Sequence, residues 1–263
     1  MCGRYVLVQK VEVIENRFNV SADSSFNFTA NYNICPGTYS PVITLENPKE
    51  LQLMRFGLTP FWAKKNMYLF NARAEGNRNK ENQSNYSGSR DIITKPAFRK
   101  PIRSQRCLVI ADAFIEGTTN EGLKKPYLVY LRDKVRPFAF AGIYDVWHNP
   151  KSGEEISSFS IITTVANRLI SSIPHHRSPV ILDKSSESIW LNPQTPLTDI
   201  TRLLQPYDSN LMNAFAISEN ISAVKNNSKD LLRPLSAPLL NEELLNIDSS
   251  LHLQGMGARK KMQ

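Results

Sequence analysis

Residues 106–116 read RCLVIADAFIE, and this is the strongest apolar run in the chain. Its Leu, Val, Ile and Phe residues are typical of a β-strand buried in a core. We therefore predict one buried strand over this range, and we expect it to end at the carboxylate of Glu116. The sequence on either side predicts a core that is rich in further strands.

Apolar runs on both sides of this segment predict many strands and few helices. Further strands are predicted over residues 4–8, 41–45, 51–56, 127–131, 138–147, 159–164, 180–182 and 212–217. Helices are predicted over residues 10–18, 166–172, 186–191 and 197–204, and partly over 96–104, where Pro101 interrupts the pattern. Residues 31–37 and 77–91 are predicted as loops, the second of them mobile.

This order of elements predicts the fold class and the domain organisation. Many strands with a few interspersed helices indicate one α+β domain with a β-rich core, barrel-like and largely antiparallel. We assign residues 1–240 to this domain. Residues 241–263, which end in the basic sequence GARKKMQ, are expected to form a partly disordered tail.

The composition narrows the classes of partner. The 263-residue chain has a formal net charge of +8 and a pI near 9.4, which is typical of proteins that bind polyanions. No apolar run approaches the roughly 20 residues that cross a membrane, and no secretory signal is evident, so we expect no membrane association. Cys2, Cys35 and Cys107 form no Cys-x-x-Cys pair, so we expect no metal and a reducing compartment.

The N-terminus carries the chemistry that stands out in this sequence. Removal of Met1 would leave Cys2 with a thiol and a free α-amine on one carbon. The α-amine titrates at about 7.7–8.0 and the thiol at about 8.5, so both are nucleophiles near neutral pH. The amine condenses with an aldehyde to a Schiff base, and the thiol then closes a thiazolidine ring. Taken alone, Cys2 would more often be incidental to where translation starts.

Four short motifs, one of which contains Cys2, occur in a fixed order along the chain. They are MCGR at residues 1–4, NAR at 71–73, ADAFIE at 111–116 and HHRSP at 175–179. A YN-x-x-PG loop, a GL-x-P-x-W segment and a late VKNNS accompany them. In this order, from Cys2 to about Pro234, the set resembles the SRAP family, the SOS-response-associated peptidases, also described as abasic-site-processing proteins.

The resemblance implies a covalent trap for abasic sites in single-stranded DNA. The implied chemistry is a thiazolidine between Cys2 and the ring-opened deoxyribose, with a self-processing cysteine-type peptidase activity that removes Met1 and a lyase-type activity on the lesion. The implied catalytic residues are Cys2, Asn71, Glu116 and His175. Glu116 would take a proton from the Cys2 ammonium, His175 would deliver one to the sugar oxygen, and Asn71 would hold the nucleophile in register.

DNA contacts are expected from basic, polar and aromatic side chains near these motifs. Guanidinium groups suit phosphates, and exposed aromatic rings stack on bases. The expected contacts are Arg4, Asn33, Phe61, Trp62, Arg73 and Arg177. We expect no cofactor, a monomer, and a location in the cytoplasm of a bacterium, with the nucleoid, or in a eukaryotic nucleus.

Three positions depart from the family pattern, and two other functions remain open. The family commonly has an aromatic residue where Gly117 stands, Trp where Phe56 stands and a bulkier residue where Ser178 stands.

An N-terminal-nucleophile amidotransferase would also begin Met-Cys-Gly, but no Asn-Gly-Glu segment is present to clamp glutamine. A non-covalent single-strand-binding module would use the basic and aromatic residues without Cys2. Crosslinking to abasic DNA distinguishes all three functions.

Overall fold

The computed structural model describes residues 2–132 and 136–241, and all statements about the structure refer to these ranges. They contain the strands β1 Arg4–Leu7, β2 Asn31–Ile34, β3 Tyr39–Thr44, β4 Gln52–Phe56, β5 Asn71–Arg73, β6 Arg106–Ala111, β7 Ala113–Thr118, β8 Gly122–Leu131, β9 Phe138–His148, β10 Glu155–Val165, β11 Arg177–Pro179, β12 Ile181–Leu182 and β13 Met212–Ala216. The α-helices are α1 Val11–Phe18, α2 Pro101–Ser104, α3 Arg168–Ser172, α4 Lys184–Leu191 and α5 Leu197–Arg202.

The strands form two sheets, one of which closes on itself. Strands β10, β4, β3, β6 and β9 pair in that order, and β9 pairs again with β10, which closes a five-stranded barrel. β5, β11 and β12 extend this sheet, and only the pairings of β10 with β4 and β5 are parallel among the described strands. The second sheet is antiparallel and has the order β13-β8-β7-β1-β2. This architecture confirms the predicted α+β domain with a barrel-like, largely antiparallel core.

The run at residues 106–116 is two strands, which corrects the prediction of one. It breaks at Asp112, where the chain passes from β6 in the barrel to β7 in the second sheet. The buried Asp112 carboxylate accepts hydrogen bonds from the backbone N–H groups of Val8, at 2.7 Å, and Gln9, at 3.3 Å. These bonds stabilise a polar group at a corner that is otherwise apolar. Glu116 therefore lies inside β7, not at the end of a strand.

Aromatic rings form part of the hydrophobic core that the barrel shares with the second sheet. Phe56 and Phe159 stack with centroids 5.2 Å apart, and Tyr5 meets Phe140 edge-on at 5.9 Å. All four side chains are buried, and burying a ring of this size stabilises the fold by about 1.5–3 kcal/mol. Phe56, one of the departures from the family pattern, is therefore a core residue.

Two local predictions are corrected, and one remains open. Residues 31–37 were expected to be a loop, but β2 occupies their first half because it pairs with β1 at the edge of the second sheet. Pro101 begins helix α2 and does not interrupt one, since the first turn of a helix needs no N–H from it. Residues 77–90 form turns without a helix or strand, and their mobility stays a prediction.

Two further expectations concern the tail and membranes. Of the predicted tail, residues 242–263 lie outside the described ranges. Within those ranges, none of the helices combines the length and the apolar character that crossing a bilayer requires.

Candidate active site

The candidate site lies where the two sheets meet, because two of its four residues lie in or just before strands of one sheet and two in or just before strands of the other. In the second sheet β1 pairs with β7 so that Arg4 lies opposite Ile115. Continuing this register brings Cys2 alongside the Glu116–Gly117 end of β7. In the barrel sheet β10 carries β5, which begins at Asn71.

Strand β10 also pairs with β11, which brings the remaining residue, His175, to the seam, the line along which the two sheets meet. Val165 of β10 lies opposite Arg177, the first residue of β11. His175 precedes Arg177 by two positions, and its side chain reaches Glu116 of the second sheet. The four predicted catalytic residues are thus brought together from four separate segments of the chain.

Asn71 holds the backbone of Cys2. Its Nδ2 donates to the carbonyl oxygens of Cys2 and Phe70, each at 2.9 Å. Its Oδ1 is buried and has no hydrogen-bond partner among the described residues. A buried acceptor without a partner is costly, so this oxygen is suited to receive a proton donor from the nucleophile or a substrate.

Glu116 and His175 form a buried acid–base pair. Glu116 Oε1 lies 3.3 Å from His175 Nε2, with about 4–5% of either side chain exposed. Burial raises the pKa of Glu116 to about 7 and lowers the pKa of His175 to about 4, because each loses the solvation of its charged form. Between these values the proton resides on the carboxyl group and the imidazole is neutral. Glu116 becomes a base near the pH at which an α-amine begins to lose its proton.

The backbone of Arg177 orients the His175 ring. His175 Nδ1 is 2.9 Å from the carbonyl oxygen of Arg177 and 3.3 Å from its amide nitrogen. The shorter contact favours the tautomer in which Nδ1–H donates to that carbonyl. Nε2 then presents its lone pair to Glu116, which donates when protonated.

His176 and Thr119 pack this loop against the β7–β8 hairpin. The rings of His175 and His176 stack with centroids 5.0 Å apart. Thr119 Oγ1 donates to the Pro174 carbonyl at 2.8 Å and lies 3.1 Å from His176 Nδ1. The hairpin tip therefore helps to hold His175 over Glu116.

The Cys2 thiol is buried and protonated at neutral pH. Its Sγ lies 3.9 Å from the Arg4 carbonyl oxygen, and the residue is 1% exposed. Burial, and to a smaller extent the nearby Glu116 carboxylate, raise the pKa of this thiol well above its ordinary value. The amine is consequently the better placed first nucleophile, and the thiol needs a base when it reacts.

Arg4 and Asn33, two of the predicted DNA contacts, are engaged inside the protein. Arg4 donates from Nη1 to Asn33 Oδ1 at 2.7 Å and from Nη2 to the Ser222 carbonyl at 2.8 Å. Asn33 is 2% exposed, and its Nδ2 donates to the carbonyl oxygens of Ile221, Ala223 and Asn226. These bonds attach β1 and β2 to residues 221–226, which lead into the VKNNS segment. DNA contacts from this pair stay a prediction.

Arg73 and Arg177 are both held by contacts inside the protein. Arg73 is half-buried and donates from Nη2 to the Asn79 carbonyl and to Asn82 Oδ1. Arg177 is 1% exposed and forms an ion pair with Glu75 at 2.8 Å. Both phosphate contacts stay predictions, and the burial of Arg177 does not favour its contact.

Phe61 and Trp62 are about half exposed, at 53% and 49%. The buried Asp145 carboxylate anchors their loop by accepting the Phe61 N–H at 2.9 Å, and Lys100 Nζ lies 4.7 Å from the Phe61 ring centroid. Exposed rings on an anchored loop with a cation beside them are suited to stacking on bases. That role remains a prediction.

Gly117 is required by the hairpin that carries Glu116. A Cβ atom at this position would lie 2.1 Å from the carbonyl oxygen of Gly122, a separation that no side chain tolerates. The backbone of β8 therefore leaves no room for a side chain at this position. Ser178 is buried, and its Oγ donates to the Pro179 carbonyl at 3.3 Å.

Sequence reasoning missed Glu75, which is fully buried and contacts Arg177. The only feature of the sequence that could have indicated Glu75 is its position two residues after the NAR motif.

No group of three or more His, Cys, Asp or Glu residues within 2–132 and 136–241 is arranged to hold a metal ion.

Comparisons with known proteins agree with the motif set. Residues 1–224 match the family model described as SOS response associated peptidase (SRAP). The abasic site processing protein YoqW of Bacillus subtilis is 35% identical over 241 residues, which cover 88% of this chain and 99% of YoqW. The abasic site processing protein HMCES of Gallus gallus is 28% identical over 238 residues, which cover 79% of this chain and 67% of that protein. A crystal structure of a protein from Bacteroides thetaiotaomicron superposes with a TM-score of 0.75 at 29% identity, covering 89% of this chain and all of that one.

Proposed function

Because the chain belongs to the SOS response associated peptidase family, we propose that it processes abasic sites in DNA as part of a DNA damage response. We further propose that it crosslinks covalently to abasic sites in single-stranded DNA through Cys2. The observation that carries this proposal is the arrangement around Cys2. Asn71 holds its carbonyl at 2.9 Å, and the buried Glu116–His175 pair lies alongside.

The first step exposes the nucleophile. Hydrolysis of the bond between Met1 and Cys2, by the protein itself or by an aminopeptidase, releases methionine and leaves a free α-amine on Cys2. The Asn71 bond to the Cys2 carbonyl does not depend on Met1, so Cys2 stays in register after this cleavage.

The second step forms a Schiff base. The ionised Glu116 accepts a proton from the Cys2 ammonium, and the neutral amine attacks C1′ of the ring-opened deoxyribose. His175 Nε2, 3.3 Å from Glu116 Oε1, relays that proton to the sugar oxygen, and water leaves as the imine forms. The same pair reverses these transfers when the imine is hydrolysed.

The third step closes the ring. The Cys2 sulfur adds to the imine carbon, and the thiol proton passes to the nitrogen by way of Glu116. The balance of the whole reaction is one aminothiol and one aldehyde giving one thiazolidine and one water. Without the sulfur, the imine would leave the strand prone to β-elimination, which is the lyase-type activity we also propose.

The net charge of the chain and its exposed aromatic rings support single-stranded DNA as the partner. The chain carries a formal charge of +8, and Phe61 and Trp62 are exposed rings on an anchored loop. Stacking of unpaired bases and an accessible sugar both require an unpaired strand. We propose single-stranded DNA as the substrate, bound by a monomer without a cofactor, in the cytoplasm or nucleus according to the host cell.

Denaturing gels with a labelled single-stranded oligonucleotide that carries one abasic site test this function. The expected product resists heat and detergent, and its mass equals protein without Met1 plus DNA minus one water. An undamaged oligonucleotide is the control and should give no such product. Absence of the product would contradict the proposal. Non-covalent binding alone would favour the single-strand-binding module, and glutamine hydrolysis would favour the amidotransferase.

A further inference from the structure

Glu75 is a buried carboxylate whose contacts lead to the candidate site without touching its reacting atoms. It is fully buried, two residues beyond the end of β5. Its Oε1 accepts from Thr164 Oγ1 at 2.8 Å and lies 3.5 Å from Arg90 Nη1, and its Oε2 accepts from Arg177 Nη2 at 2.8 Å. A buried carboxylate that contacts two arginine side chains forms ion pairs of defined geometry with them.

Arg177 connects this ion pair to His175. The same Nη2 that binds Glu75 also donates to the carbonyl oxygen of Thr163 at 2.8 Å, so the guanidinium is fixed against β10. Arg177 is 1% exposed and begins β11. Its side chain and its backbone are thus both anchored, and its backbone atoms are the ones that lie beside His175 Nδ1, at 2.9 and 3.3 Å.

We propose that Glu75 is a positioning residue for the crosslinking reaction: its ion pair with Arg177 holds the Arg177 backbone that fixes the ring orientation and tautomer of His175 toward Glu116. This inference rests on the proposed function. It adds a residue that neither the motifs nor the reacting atoms single out. The path runs from the Glu75 carboxylate through the Arg177 guanidinium and carbonyl to His175 Nδ1, and from Nε2 to Glu116.

The physical basis is the strength of a buried charge pair. Loss of the carboxylate leaves the Arg177 cation buried without its counterion, and such a cation moves toward water. Movement of Arg177 shifts its carbonyl away from His175, and the neutral ring then exchanges between its two tautomers. A displacement of about 1 Å in a proton-transfer group lowers a rate by about 100-fold.

The variant Glu75→Gln tests the proposal with two measurements on the whole chain. The ¹⁵N chemical shifts of the His175 ring report its tautomer in the free protein, without DNA. Single-turnover crosslinking at saturating abasic oligonucleotide reports the chemical step without the contribution of DNA affinity. We expect a mixture of tautomers and a 10- to 100-fold lower rate in Glu75→Gln. In Glu75→Asp, which keeps the charge, we expect the parent tautomer and most of the rate.

A second ion pair supplies a matched control. Arg17 and Glu187 pair at 2.7 Å with 13% and 9% of their side chains exposed, and they join α1 to α4. Glu187→Gln should lower the melting temperature as Glu75→Gln does, and it should leave the His175 tautomer and the crosslinking rate unchanged. An equal loss of rate in both variants would mean that stability alone matters, which overturns the proposal.

The remaining outcomes are also decisive. A folded Glu75→Gln protein with the parent tautomer and the parent rate would show that Glu75 only stabilises the fold. If that variant does not fold, the double variant Glu75→Leu with Arg177→Met removes both buried charges, and the same two measurements apply to it. A parent protein that fails to crosslink refutes the proposed function, whereas the tautomer comparison still tests the positioning role.

Discussion

Replacing Glu116 with Gln removes the buried acid–base group of the candidate site while keeping its shape. Burial raises the pKa of Glu116 to about 7, so about half of these carboxyls are ionised at pH 7 and about a tenth at pH 6. The crosslinking rate of the parent protein should therefore rise about fivefold between these pH values and level off above pH 8. The amide of Gln accepts no proton, so the variant should react about 100- to 10,000-fold more slowly.

The assay is single-turnover crosslinking with protein in excess over labelled abasic oligonucleotide, from pH 5.5 to 9. The residual rate of Glu116→Gln should follow the α-amine instead, with an inflection at about 7.7–8.0. Glu121→Gln is the matched control, because Glu121 lies exposed at the tip of the same hairpin and pairs with Lys125 at 2.8 Å. It should keep both the parent rate and the parent profile.

The raised pKa of Glu116 also predicts how the variant's stability depends on pH. Folding favours the protonated carboxyl, so its contribution is fully present below the ordinary value of 4.5 and is lost as pH rises through about 7. Relative to the parent, Glu116→Gln should thus gain up to about 3 kcal/mol between pH 4 and 8 in chemical unfolding. A variant that crosslinks at the parent rate, or keeps an inflection near pH 7, would refute the assignment of Glu116 as the base.

The other predictions concern the nucleophile, its support, the DNA surface and the hairpin. Cys2→Ala should form only an adduct that borohydride traps, and a heat-stable adduct without reductant would contradict the thiazolidine. Asn71→Ala, measured by the same gels, should crosslink at least 10-fold more slowly while its DNA affinity stays close to that of the parent. Trp62→Ala should weaken non-covalent binding of single-stranded DNA by about 1–3 kcal/mol in fluorescence titrations, and unchanged affinity would remove Trp62 from the interface. Gly117→Ala should lower the free energy of unfolding by about 1–3 kcal/mol, because its Cβ would lie 2.1 Å from the Gly122 carbonyl oxygen, and a variant as stable as the parent would contradict that geometry.

Local patterns in the sequence predicted most strands and helices, because the spacing of apolar residues indicates which side chains are buried. They could not show the break at Asp112, since the residues on both sides of it are equally apolar. What changes at Asp112 is the sheet to which the chain belongs. The peptide N–H groups that satisfy this carboxylate come from Val8 and Gln9, about a hundred positions away. The parallel pairing of β4 with β10, which is part of the barrel, is also non-local.

The four catalytic candidates were predicted by motif, whereas their supports were not. The charge of Arg177 suggested a solvent-exposed phosphate ligand, because a single sequence gives no sign that a counterion will meet it in the core. Glu75 supplies that counterion from 102 positions away and thereby buries Arg177. Asn71 Oδ1 has no hydrogen-bond partner within residues 2–132 and 136–241, and this too is a property of packing that the spacing of residues does not reveal.

Because the candidate site lies at the seam between the two sheets, we expect it to be sensitive to distant changes. Asn71 and His175 belong to segments attached to the barrel, and Cys2 and Glu116 to the second sheet. Two contacts across this seam, from Asn71 to the Cys2 carbonyl and from His175 to Glu116, are made by the reacting groups and their immediate support. A small shift of one sheet on the other would therefore separate His175 from Glu116 and Asn71 from Cys2. Groups that hold His175 in place, as we propose for Glu75 through Arg177, are therefore expected to affect the reaction rate although they do not contact Cys2.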